Sequence, residues 1–110
     1  MIIEDFTADT ERLRATTEAL NGFARACVTA DDFLRAAVRA DSLAHAWLDL
    51  VKREHEAISQ LHAESEHRRE LVQMYVSAAG FPMACRLAAQ AYRMGAARLE
   101  AEALALGGAA

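Results

Sequence analysis

From Ile3 onward, seam positions recur at alternating steps of three and four: Ile3, Phe6, Thr10, Leu13, Thr17, Leu20, Ala24, Cys27. That spacing holds one stripe of an α-helix toward a partner, and alternating large with small side chains lets the partner come close. It predicts a first helix over about residues 7–27, with Thr7 to Asp9 placed to cap its free N–H groups. Gly22 inside this stretch costs about 1 kcal/mol relative to Ala. It kinks the helix, admits a neighbouring backbone or is merely tolerated.

Thr29-Ala-Asp-Asp32 has the form of a capping box, with Asp in place of Glu at its third position. The seam then runs Phe33, Ala37, Ala40, Ala44, Trp47, Val51, Glu54, Ile58, Leu61, Ser65, Arg68, Val72, Tyr75, Ala79. No Gly or Pro lies between Gly22 and Gly80. The pattern predicts one long central helix over 30–79, about 75 Å if unbroken. Asp41-Ser42 marks the place where it would break into two nearly collinear segments. Gly80 is placed to end this helix in a left-handed conformation, and Pro82 suits the first turn of a last helix over about 82–105. That helix carries Met83, Leu87, Tyr92, Met94 and Leu99, and Ala84, Ala88, Ala91 and Gly95 give it a small-residue face for close packing. The tail from Gly107 is expected to fray.

Val, Ile and Thr together number only 13, whereas Ala, Leu, Arg and Glu dominate. The expected fold is therefore all-α, an elongated helical bundle in a single domain spanning residues 1–110. Two flanking helices cannot cover a 50-residue one on every side. Helix one would lie along residues 33–54 and the last helix along 58–79, leaving two thin helix pairs. Leu34, Val38, Leu43, Leu48, Leu50, Leu71 and Val76 widen the apolar face further. Self-association into a four-helix or larger bundle is the expected remedy, with Trp47, Glu54, Ile58, Leu61, Arg68, Val72 and Tyr75 as interface. Glu54 and Arg68 lie seven residues on either side of Leu61. An antiparallel pairing about Leu61 would set Glu54 opposite Arg68 of a second chain and bring Trp47 toward its Tyr75.

Composition narrows the function classes. The apolar share is 54%, but 26 residues are Ala, so about 30% of the chain carries a large apolar side chain. The net charge of −4 and pI near 5.5 disfavour a nucleic-acid surface. No apolar run approaches the ~18 residues of a membrane span, and Met1-Ile2-Ile3 passes at once into Glu4-Asp5, unlike a secretory leader. A cytoplasmic protein is expected, with no membrane partner. Cys27 and Cys85 make no disulfide framework and read as small buried hydrophobes. Cys85, close behind Pro82, is the better placed for an activated thiol.

Three chemical readings compete with a simple interaction surface. Glu64-x-x-His67 matches the Glu-x-x-His element of di-metal helical bundles, because residues i and i+3 share a helix face. His62 and Glu66 form a neighbouring pair, and a dimer with Glu11 or Glu18 would complete an iron or zinc site. Against this stands a solvated helix laced by pairs such as Lys52–Glu56 and Glu64–Arg68. The stretch from Leu71 to Arg93 resembles a helix-turn-helix, but offers DNA only Arg86 and Arg93. His45-Ala-Trp47 has no acid–base arrangement around a nucleophile. A non-enzymatic, homo-oligomeric helical module that engages another protein is the expected function. Its size and composition are shared by many bacterial adaptors and secretion chaperones.

Overall fold

A computed structural model describes residues 2–109. The elements are α1 (Ile2–Arg25), α2 (Ala30–Gln60), α3 (Glu66–Ala78) and α4 (Phe81–Ala109), with no strand among the described residues. α3 and α4 join through Ala79-Gly80 into one long bent helix. The result is an elongated all-α fold of 70 × 19 × 14 Å with a radius of gyration of 18.6 Å. A compact domain of this length would have a radius of about 13 Å.

α2 is the element on which the others pack. α1 returns antiparallel to it, with Asp9 paired to Arg53 at 3.1 Å, Thr17 bonded to Trp47, and the Arg39 guanidinium 4.2 Å over the Phe23 ring. This is the placement of the first helix that the sequence implied. α3 and α4 also run back along α2: Tyr75 meets His55, Phe81 stacks on Trp47, Arg93 pairs with Asp41, and Gly95 lies against Phe33. The last helix therefore lies along residues 33–47 rather than along 58–79. Between α2 and α4 the buried side chains are small, with Ala37, Ala40 and Ala44 on one helix and Cys85, Ala89 and Ala96 on the other.

The first seam is buried or half-buried at every position from Ile3 to Cys27. Its threonines fit because each hydroxyl donates to the carbonyl four residues back, Thr10 to Phe6 at 2.8 Å and Thr17 to Leu13 at 2.7 Å. Thr17 Oγ1 then accepts the indole N–H of Trp47 at 3.1 Å. The face of that indole stacks on Phe81, centroids 4.2 Å apart and planes 10° from parallel. Trp47, wholly buried, thus ties α2 to α1 and to the start of α4.

The Thr29 capping box forms as expected: Oγ1 accepts the Asp32 N–H at 3.1 Å, and the Asp32 carboxylate accepts the N–H groups of Thr29 and Val28. These bonds hold the Asp32 carboxyl below its usual range. α2 runs unbroken through Asp41-Ser42, and α1 begins at Ile2 rather than near residue 7. Gly22 has nothing within 4 Å of the place a Cβ would take, so it is merely tolerated.

Two departures matter. The central helix does not continue from 30 to 79; it stops at Gln60, and the chain reverses over Leu61–Ser65. Leu61 turns extended while its N–H still reaches the Ile58 carbonyl, and Ser65 donates to His62 at 2.9 Å before α3 starts. The reversal lays the second half of the seam back toward the first, half-burying Arg68, Val72 and Tyr75 within one chain, where a straight helix would leave them open to water. Secondly, Gly80 does not end a helix in a left-handed conformation: no described residue has positive φ, and Ala79 is right-handed helical. The N–H of Ala79 still reaches Tyr75, and that of Ala84 reaches Gly80. Pro82 lacks an N–H and crowds the carbonyl four residues back, which bends the helix without stopping it. Helix α4 extends to Ala109, through the described part of the segment expected to fray.

Candidate functional site

The residues expected to form an interface between chains are placed within one chain. Trp47 and Glu54 are completely buried, and Ile58, Leu61, Arg68, Val72 and Tyr75 are half-buried. Within the chain, the turn between α2 and α3 sets these two helices antiparallel to each other. It brings Tyr75 to His55, ring centroids 5.8 Å apart, rather than to a second chain's Trp47. Glu54 and Arg68 are not joined: both Glu54 carboxylate oxygens are buried with no hydrogen-bond partner among the described residues. The adjacent Arg53 is held by Asp9 and Asp49 at 3.1 and 2.9 Å. Burial raises the Glu54 carboxyl from 4.5 to about 7, and the Arg53 charge opposes this only in part.

The metal reading loses its geometric premise. Glu64 lies in the turn, outside any helix, and His67 is the second residue of α3, so the two do not share a helical face. His62 is in the same turn, its Nδ1 accepting the Glu64 backbone N–H at 3.4 Å. Glu66 opens α3. Among the described residues no three His, Cys, Asp or Glu side chains are gathered where they could hold one ion. The helix-turn-helix reading meets a similar obstacle, because α3 and α4 form one bent helix without the sharp turn that seats a recognition helix. Cys85 is buried and Cys27 half-buried, and desolvation raises both thiols, the opposite of nucleophilic activation.

Among the described residues, besides single exposures such as Val28, apolar surface is left open in two extended places. Between α1 and α2, Leu13, Leu20, Val38, Leu43 and Ala46 line a groove of about 500 Å³. The second place is the outer side of the bent helix. There Val76, Met83, Leu87, Met94 and Leu104 are 67%, 60%, 57%, 72% and 77% exposed. With Gly80, Gln90, Ala97 and Ala101 between them they keep alternating steps of three and four, which place them in one stripe. The inward stripe is Ala78, Pro82, Cys85, Ala89, Tyr92, Ala96 and Leu99, buried or half-buried on the opposite side of the same helix.

The sequence places a small-residue face for close packing at Ala84, Ala88, Ala91 and Gly95. Ala88 and Gly95 of that face are half-buried but Ala84 and Ala91 are exposed. Cys85, Ala89 and Ala96, one step along, are buried, Tyr92 and Leu99 are half-buried, and Met83, Leu87 and Met94 are exposed. The missed signal is that α4 carries two seams at the same spacing, each mixing large with small residues. Comparison with protein-family models, curated proteins and solved structures finds no match to this chain. No described helix is long and apolar enough to cross a membrane.

Proposed function

We propose that this protein is a non-enzymatic helical interaction module of the adaptor, chaperone or regulator type, acting in the cytoplasm as a homo-oligomer that engages another protein. The observation that carries the self-association in this reading is the exposed stripe on the outer side of α4. Single exposed apolar residues are ordinary, but a row of Met and Leu at coiled-coil spacing is the form in which one helix recognises another. Methionines suit such a surface because their unbranched side chains adapt to a partner's contour. The two unpaired, desolvated thiols fit a reducing compartment.

Light scattering at micromolar concentration tests the reading. A particle of at least twice the 12.0 kDa chain mass is expected. A 12.0 kDa particle with full helicity and cooperative melting would contradict it.

A further inference from the structure

The geometry points to a second copy of this chain on the outer face of α4, its own α4 antiparallel to the first about a two-fold axis level with residue 92. This rests on the self-association proposed above and adds direction and register to it.

Side-chain size is the first argument. In this register Leu104 meets the partner's Gly80, Met83 meets the partner's Ala101, Leu87 meets the partner's Ala97, and Gln90 lies beside the partner's Met94. The three layers away from the axis pair a large residue with a small one, which brings the helices close without voids. A parallel pairing would stack Met on Met, and would seat Gln90 on the partner's Gln90 in the apolar seam.

Charge agrees. Arg86 and Glu100 flank the stripe on one side, both exposed and without an ion-pair partner among the described residues. The antiparallel register sets Arg86 beside the partner's Glu100, twice by symmetry. Arg93, which falls on the axis, is already paired with Asp41 of its own chain. On the axis it faces its own symmetry mate, and in a parallel pair it would face the partner's Arg98, so it favours neither direction.

Two features with no purpose inside one chain acquire one. Gly80 has ordinary φ and nothing within 4 Å of a Cβ position, so neither backbone nor crowding calls for glycine there. Set between α3 and α4, it leaves a notch for the partner's Leu104. Residues 100–107 are all exposed. A helical overhang that short is marginal alone in water. In the pair it lies across the partner's bend.

The test is sedimentation of Arg86→Glu, Glu100→Arg and the double variant at low salt, beside Gly80→Leu. Each single swap removes two attractions and creates two repulsions, and is expected to raise the dimer dissociation constant on the order of tenfold. The double variant should return close to the parent. Gly80→Leu should weaken the dimer while leaving helicity unchanged. Single swaps that dimerise like the parent, or a double variant as weak as the singles, would overturn the register while leaving self-association standing. A monomeric parent chain would overturn both.

Discussion

At pH 8 the Glu54→Leu variant is expected to be more stable than the parent by up to about 3 kcal/mol, and the advantage should fade toward pH 4.5. The unfolded chain releases the Glu54 proton near 4.5, whereas the native carboxyl, buried and unpartnered, holds it to about 7. Below 4.5 both states are protonated and the stabilising effect of the neutral form is intact. Between 4.5 and 7 the native state binds the extra proton, so stability falls as pH rises, by about 1.4 kcal/mol per unit. Above about 7 the loss is complete. Asp32 acts in the opposite sense, but only as pH falls below its ordinary value of 3.8. Denaturant titrations at pH 5 and pH 8, at one protein concentration, give the comparison. A parent equally stable at both values, or a variant with the same decline, would contradict the assignment. Glu54→Gln should flatten the same slope while retaining a buried, unpartnered amide.

Trp47→Ala is expected to cost about 3–5 kcal/mol, the range for emptying a large aromatic site in a core. The indole is completely buried, and it is where α1, α2 and α4 meet. Thr17→Val isolates one contribution. It keeps the shape but leaves the indole N–H buried without an acceptor, at a cost of about 1–3 kcal/mol. Trp47 is the chain's single tryptophan, so its fluorescence follows unfolding in that variant directly. A Trp47→Ala chain within 1 kcal/mol of the parent would show that the three helices are held elsewhere.

Much of this architecture is legible in the residue pattern, and the parts that are not have physical reasons. The seam from Phe6 to Cys27 reads correctly because each polar member, Thr10 or Thr17, satisfies itself on its own helix. The Thr29 cap reads correctly because its bonds are local. The reversal at Leu61–Ser65 is hidden because the rhythm of three and four passes through it in phase, with no Gly or Pro to interrupt it. Its only signals are the polar run around His62 and the Ser65-Glu66 helix start. At Gly80-Phe-Pro82 the error runs the other way. Strong punctuation there yields a bend, because a proline near a helix start forfeits little and Phe81 is held on Trp47. That contact is tertiary and invisible to local pattern. For the same reason α4's two stripes could not be ranked. Which of them faces α2 is decided by tertiary packing, where α2's buried alanines meet Cys85, Ala89 and Ala96 and Trp47 meets Phe81.

The central claim is that the outer face of α4 is where chains meet. Sedimentation equilibrium of the parent beside a Leu87→Glu, Met94→Glu double variant tests it most directly. Both side chains are exposed within one chain, at 57% and 72%, so the variant should keep its helicity and melting behaviour. The account predicts at least twice the 12.0 kDa chain mass for the parent and 12.0 kDa for the variant. The same mass for both proteins would contradict it.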